Sequence, residues 1–265
     1  MASGLEHTTL RRPAVVSVGS ELILGERRDN ENLRWMCSTL CERDLPAVVA
    51  LTIGDDPDVI AEHVGHLYRV GYGPIFVSGG MGGTHDDRTR EGIAAAVGAP
   101  LQRHAECFEI LRAAYGHIGL EFTEERRRMA ELPMGASLIP NPSGAPGFSV
   151  HGRVFAFPGF PRMLKPMMLA VLDSLAPPLP PERRWLLEEQ ELPVNEGRIA
   201  GQVEALSSAL RAAGSSASIG IYPSNKQFGA QVKLVLRYQA ADANARDQFL
   251  GFVGELRGGL AASRL

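Results

Sequence analysis

Three short apolar runs, each followed by a helical pattern, constrain this chain more than any other feature. "AVVSV" (Ala14–Val18), "AVVALTI" (Ala47–Ile53) and "PIFVSGG" (residues 74–80) read as strands buried on both faces. Helices follow each of them. In "NENLRWMCSTLCERDL" the apolar residues Leu33, Met36, Cys37, Leu40 and Cys41 recur at i, i+3, i+4, i+7 and i+8, one face of a helix. "DDPDVIAEHVGHLYRVG" opens with Asp55 or Asp56 as cap and Pro57 in the first turn, and its stripe is Ile60, Val64, Leu67 and Tyr68. "DDRTREGIAAAVG" reads as a third helix stopped at Gly98. Such units predict parallel strands with right-handed crossovers, and so a three-layer α/β/α sandwich with a mostly parallel sheet.

"FEILRAAYG" and "TEERRRMAEL" read as further helices, and "SLIPNP" and "VFAFPGFP" as strands running into loops. "RMLKPMMLAVLDSL" reads as a closing helix. "APPLPP" (Ala176–Pro181) is a stiff linker, after which the pattern changes. A strand "RWLLEEQELPV", a helix "EGRIAGQVEALSSALRAAG", strands "ASIGIYP" and "AQVKLVLRYQ" and a helix "ARDQFLGFVGELRGGL" make a small α+β module. The expected organisation is a flexible tail over 1–12, an α/β domain over 13–176, a linker over 177–182 and the module over 183–265.

Ligands of such sheets gather at the carboxyl ends of the strands, and here the loops there are unusual. "SGGMGGTHDDRTREG" (Ser78–Gly92) places glycines at 79, 80, 82 and 83 before a helix, so backbone N–H groups can approach an anion closely. No Lys-[Ser/Thr] pair follows, so this is not a P-loop, and no G-x-G-x-x-G can be drawn through it. Two aspartates in an anion-binding turn are a contradiction unless a cation stands between. With Glu21 and Asp29 in the first loop and Asp55 and Asp56 in the second, up to six carboxylates share one edge. Crowded carboxylates resist ionisation without a cation, and hard ions such as Mg²⁺ are held by one or two carboxylates plus substrate phosphates. The plainer alternative is that Thr84 or Asp86 caps the helix and Asp87 complements its dipole.

Other residues read more plainly. Arg27 and Arg28 are surface residues before they are phosphate clamps, and Leu22 and Leu24 anchor the first loop. His85 is either a metal ligand or general acid, or a residue facing water. His63 and His66 sit on a solvated helix face, as does the charge run Glu124–Arg128. The Pro/Gly loops "PNPSGAPGF" (Pro140–Phe148) and "FPGFPRM" (Phe157–Met163) suit the border of a flat ring such as a pterin, adenine or flavin.

Composition limits the alternatives. A net charge of −3 gives no basic footprint for nucleic acid. No apolar run nears the roughly 20 residues of a membrane span. The start, "MASGLEHTTLRRP", lacks the apolar segment of a secretory signal. Three cysteines without disulfide or zinc spacing fit a reducing cytoplasm, with Cys37 and Cys41 as core residues.

The segments "GSELILGERRDNEN", "IGDDPDVI", "SGGMGGTHDDRTREGIAAAVG", "RRRMAELPMGASLIPNPSGAPGF" and "FPGFPRM" resemble, in this order, the MoaB/Mog-type molybdopterin-binding domain. The resemblance covers about Ala14 to Ala176. Within that group they look most like the CinA family and the N-terminal domain of eukaryotic FAD synthase. The tail from Arg183 is similar, more weakly, to the module that follows this domain in CinA proteins. The C-terminal amidase domain of full-length CinA has no counterpart here, so NMN deamidation is not implied.

The resemblance implies a three-layer α/β fold that often oligomerises and binds a molybdopterin or adenine-nucleotide ligand at the glycine-loop edge. It further implies metal-dependent cleavage (Mg, Mn or Co) of a pyrophosphate such as ADP-ribose or FAD, or else a non-catalytic binding module. Gly19, Ser20, Ser78, Gly79, Gly80, Gly82, Gly83, Thr84, Asn32, Pro158 and Gly159 would line the ligand. Asp86, Asp87 and Glu21 would be catalytic, and these three with Asp29 would hold the metal. The family commonly has Asp or Thr where Ser20 stands. Its D-T-N is met here by Asp29-Asn30-Glu31-Asn32, and the usual threonine before "APGF" is absent.

Overall fold

The strand β1 (Ala14–Val18) is fully buried and divides its side chains between two cores. Ala14, Val16 and Val18 face one cluster, and Val15 faces the other. β2 (Val49–Ile53), β3 (Ile75–Ser78) and β8 (Val154–Phe157) continue the sheet. In β3, Ile75 and Val77 point to the first core and Phe76 to the second, and in β8 Val154 and Ala156 oppose Phe155 and Phe157. This alternation on strands apolar throughout is what two covering helix layers require. The computed structural model describes residues 12–142, 144–223 and 231–262. The expected tail therefore lies almost wholly outside the described residues, as do Ser143 of the first Pro/Gly loop and the expected strand start at Ala230.

The sheet has six strands in the order β2-β1-β3-β8-β7-β6. The first four pair parallel. β7 (Gly147–Val150) and β6 (Ser137–Ile139) add an antiparallel edge. The mostly parallel three-layer sandwich is thus present. One face carries α3 (Pro57–Arg69), α4 (Thr89–Val97) and α5 (Ala105–His117), which pack through Ile60, Val64, Ile93 and Leu111. The other carries α2 (Glu31–Glu42) and α7 (Pro161–Leu175), packed through Met36, Leu40, Leu164 and Met168. Asp56, not Asp55, caps α3, accepting from the N–H groups of Asp58 and Val59.

Several expected elements differ. α4 begins at Thr89, after the two aspartates, and Arg88 at its N-cap makes no side-chain cap bond. The expected helix over 123–132 is the short α6 (Glu124–Arg127), one 3₁₀ turn over Arg128–Ala130, and strand β5 (Glu131–Pro133). β5 pairs with β4 (Leu101–Arg103), which periodicity does not reveal in three residues. The first loop holds a single helical turn, α1 (Ser20–Ile23). Of the two expected anchors, Leu24 is 71% exposed and does not hold the loop, whereas Leu22 is half-buried and lines the cleft described below.

The chain divides after Pro178 into two compact units. The second is a three-stranded antiparallel sheet, β10 (Ser218–Pro223)-β11 (Val232–Gln239)-β9 (Trp185–Leu192). Helices α8 (Glu196–Ala212) and α9 (Ala243–Ala262) bury Ile199, Val203 and Phe249 against Leu234 and Leu236. Among the described residues no helix is long and apolar enough to cross a membrane.

Candidate functional site

The strands themselves position the site. β1 and β3 are neighbours, yet the chain leaves β1 towards α2 on one face and leaves β3 towards α4 on the other. Such divergence opens a crevice at the carboxyl ends of the two strands. The crevice is a cleft of about 860 Å³ between Val18–Gly19 and Ser78–Gly79.

The glycine loop is shaped from behind by two residues that the sequence reading left out. The Thr89 hydroxyl donates to the Gly79 carbonyl at 2.8 Å, and the Thr89 N–H donates to the Gly80 carbonyl at 3.0 Å. The Arg90 guanidinium donates to the carbonyls of Met81 (2.5 Å), Gly82 (2.9 Å) and Asp87 (3.2 Å). Arg90 is 5% exposed. Burial pulls its pKa down, with the charge of Asp87 opposing. Four successive carbonyls, from residue 79 to residue 82, are therefore held to one side. In a planar trans peptide the C=O and the next N–H point oppositely. The N–H groups of Gly80, Met81, Gly82 and Gly83 are thereby turned the other way, and no acceptor among the described residues claims them.

Glycine is required at the start of this loop. Gly79 has φ of 100°, and a Cβ there would run into the Val18 carbonyl oxygen. Gly80 has φ of 60°, and its Cβ would strike the Thr89 hydroxyl. Of the helix-start donors expected to face an anion, the first N–H of α4 is spent on the Gly80 carbonyl. The cradle comes from the loop amides and the buried guanidinium behind them.

The paired aspartates meet at Thr84. Its hydroxyl lies 2.5 Å from Asp86 Oδ1 and 2.5 Å from Asp87 Oδ2, and its N–H donates to Asp87 Oδ2 at 3.0 Å. One hydroxyl has one proton, so it satisfies one carboxylate at a time. Its hydrogen bond holds the Asp86 carboxyl below the usual aspartate range. Neither Thr84 nor Asp86 caps α4, so the capping part of the plainer reading does not hold, and Asp87 lies before the helix rather than in its first turn.

The remaining expected residues fall mostly in the same cleft. Gly19, Glu21, Asp29, Asn32, Ser78, the four loop glycines, Thr84, Asp86, Asp87, Pro158 and Gly159 all line it. Ser20 is the exception: its hydroxyl donates to Asp55 Oδ1 at 2.7 Å, so it holds the second loop, and Asp55 rather than Ser20 lines the cleft. Asp56 is spent as a cap. Arg27 lines the cleft and Arg28 does not. His85 is exposed and borders a separate hollow of about 520 Å³. Cys37 and Cys41 are half-buried on α2, and Cys107 is buried on α5.

Two buried polar atoms in the cleft lack a partner among the described residues. Ser78 is 1% exposed, and its hydroxyl oxygen has none. Asn32 donates through Nδ2 to the Gly159 carbonyl at 2.7 Å, while its Oδ1 is unsatisfied. Leaving such atoms unpaired costs about 1–3 kcal/mol each, which a polar ligand would recover. Asn30, passed over in the sequence, ties the strand ends together. Its Oδ1 accepts from Ser17 and from the Leu33 N–H, and its Nδ2 donates to Thr52. An Asn just before an apolar-periodic run is an ordinary helix-cap signal that marks it.

The donor set suits a hard cation. Asp86, Asp87, Glu21 and Asp29 offer only oxygen to the cleft, and the first two lie within bonding reach of one hydroxyl. Among the described residues no three His, Cys, Asp or Glu side chains form a metal site on their own. A cation would need ligands from the bound molecule.

Comparison with known proteins bears on the cleft-bearing unit. Residues 14–178 match the family described as probable molybdopterin binding domain. The chain belongs to that molybdopterin-binding-domain family. It is CinA-like within it. A CinA-like protein of Anaeromyxobacter dehalogenans is 37% identical over 152 residues, 56% of this chain and 36% of that protein. A protein of Aeropyrum pernix is 37% identical over 178 residues, 63% of this chain and 65% of its own length. The chain thus spans less than two thirds of these curated relatives. The crystal structure of CinA from Thermoplasma acidophilum, described as of unknown function, aligns with a TM-score of 0.56 at 29% identity. That alignment covers 63% of this chain and 99% of the other. The molybdopterin-binding domain therefore coincides with the unit that holds the glycine loop.

Proposed function

We propose that this chain binds a pyrophosphate-bearing adenine nucleotide or a molybdopterin in the glycine-loop cleft, and hydrolyses an ADP-ribose- or FAD-class pyrophosphate with a divalent metal. The observation that carries this reading is the juxtaposition at Thr84: a row of inward-turned amides beside two carboxylates that share one hydroxyl. The amides of residues 80–83 bind phosphate oxygens, with the buried charge of Arg90 behind them. Ser78 donates its unclaimed hydroxyl proton to the ligand, and the free Asn32 Oδ1 accepts from a ligand O–H or N–H.

Asp86 and Asp87 would hold Mg²⁺, Mn²⁺ or Co²⁺ together with oxygens of the ligand, while Glu21 and Asp29 line the same cleft without gathering into a three-ligand site with them among the described residues. Bound there, the ion would neutralise phosphate charge and polarise a phosphoryl oxygen. In hydrolysis water adds to one phosphorus, the bridging P–O bond breaks, and two phosphomonoesters leave. The carboxylate of the pair that is not receiving the Thr84 hydroxyl proton orients the water and takes its proton. The amide cradle stabilises the charge that develops on the phosphoryl oxygens. The chain would act in the cytoplasm as a homo-oligomer, and its free cysteines agree with that compartment.

A second reading, a non-catalytic binding module, is favoured by the scatter of the carboxylates, no three of which gather among the described residues. Incubation with ADP-ribose or FAD and each metal separates the two. AMP formed by the wild type and not by Asp87→Ala supports the hydrolase. Tight binding without turnover supports the module.

A further inference from the structure

The cleft has a second wall unlike the first. Leu111, Ala114 and Tyr115 on α5, with Ile118 at its C-cap, are spaced at i, i+3, i+4 and i+7, the spacing of one helix face. The stripe starts in the core, where Leu111 is 2% exposed, and runs out into the cleft, where Ile118 is 61% exposed. Met129 lines the same wall. The wall abuts the phosphate cradle: a Cβ on Gly83 would lie 3.4 Å from the Met129 sulfur and 3.0 Å from the Glu125 carbonyl.

The wall is also held in place. The Tyr115 ring stacks on Phe122 with centroids 5.6 Å apart and planes at 23°. The Arg126 guanidinium lies 4.6 Å from the Tyr115 centroid on the same ring system. The Tyr115 hydroxyl donates to the Met129 sulfur at 3.7 Å. An aromatic already held by Phe122 and Arg126, a thioether and the aliphatic side chains of Ala114 and Ile118 form an apolar wall beside the row of amides. A cleft of about 860 Å³ lies in the upper part of the roughly 300–1,000 Å³ that whole small-molecule ligands fill, and a diphosphate alone would leave this wall wet.

We infer that the α5 wall of Leu111, Ala114, Tyr115, Ile118 and Met129 is the subsite for the flat nitrogen heterocycle of the ligand, whose phosphate rests on the glycine loop. This rests on the function proposed above. The ring lies against Ala114 and Ile118 with Met129 at its edge, and desolvation of the ring and of Ile118 makes the contribution. Adenine and pterin share the required chemistry.

Calorimetry on the full chain with Mg²⁺ present tests the assignment, using AMP, a pterin monophosphate and ribose 5-phosphate as probes. Wild type should bind at least one ring-bearing probe about tenfold or more tightly than ribose 5-phosphate, and which probe leads identifies the ring. Ala114→Trp, at an exposed position, fills the wall and should erase that preference while leaving ribose 5-phosphate within about twofold. Ile118→Ser, also exposed, should weaken the ring-bearing probe by about threefold or more and spare the other. Equal binding of all three probes by wild type, or an unchanged preference in both variants, overturns the subsite. So does a change of oligomeric mass in either variant, which would make the wall a contact between copies. If no probe binds to wild type at all, the proposed function fails with it.

Discussion

Replacing Arg90 should damage binding far more than its place behind the loop suggests. Its guanidinium serves three backbone carbonyls at 2.5, 2.9 and 3.2 Å while 5% exposed. Arg90→Lys keeps the charge but replaces a rigid fork with one ammonium, which cannot reach all three acceptors with good geometry. A buried carbonyl stripped of its donor costs about 1–3 kcal/mol, so losing good bonds to the Met81 and Gly82 carbonyls destabilises the ordered loop by about 2–6 kcal/mol. Those carbonyls fix which way the amides of Gly82 and Gly83 point. A ligand that needs the ordered cradle should therefore bind about thirtyfold more weakly at the lower figure. Arg90→Met removes the charge as well and should bind more weakly still. Urea unfolding confirms that each variant is folded, and calorimetry with AMP and Mg²⁺ gives the affinity. A folded Arg90→Lys protein with wild-type affinity would refute the idea that the buried guanidinium orients the amides.

Three further outcomes follow from the same geometry. A carboxyl whose pKa is lowered keeps its charge until the pH falls through that lowered value, so ligand binding that needs ionised Asp86 should fail only below the usual aspartate range. Thr84→Val removes the hydrogen bond, and the acid midpoint of binding, followed by calorimetry across pH, should move upward; an unmoved midpoint contradicts the role given to Thr84. Gly79→Ala forces a side chain to φ of 100° and into the Val18 carbonyl, so urea unfolding should show a loss of about 1–3 kcal/mol or more, and a neutral substitution would mean the loop adapts. Burial pushes the Cys107 thiol up to about 11, so at about pH 8 it should resist alkylation in the folded protein and react in urea, as mass spectrometry of the labelled peptide would show; prompt labelling of the folded chain contradicts its burial.

Much of the fold was legible because its signals are local. β1, β3 and β8 are buried on both faces, so apolar runs marked them, and Gly98 ends α4 in the left-handed conformation expected of a stop. What periodicity missed was decided by tertiary context. β4 and β5 span three residues each and exist through their mutual pairing. The charge run 124–128 continues as a 3₁₀ turn instead of a long helix because Ala130 is drawn into the core and Glu131 into a strand.

The site divides in the same way. Glycines beside aspartates marked a candidate site, and nearly all the residues so marked line one cavity. Thr89 and Arg90 were missed because, in sequence, a Thr-Arg pair at a helix start reads as a polar cap and a solvated cation. Only the fold shows both reaching back to the loop carbonyls. A local hint is Gly92, two residues beyond Arg90, whose missing Cβ lets α4 pack against Ile60 of α3. Ser20 was assigned to the ligand by its position in a motif, whereas its hydroxyl is taken by Asp55.

Titration of ADP-ribose into wild type and Asp87→Ala, with Mn²⁺ and with a chelator, tests most directly whether a cation joins these carboxylates to a bound pyrophosphate. Strong binding to wild type only when Mn²⁺ is present, lost in Asp87→Ala, is the predicted result. Equal affinity with and without the metal, or an Asp87→Ala protein that binds as the wild type does, would contradict it.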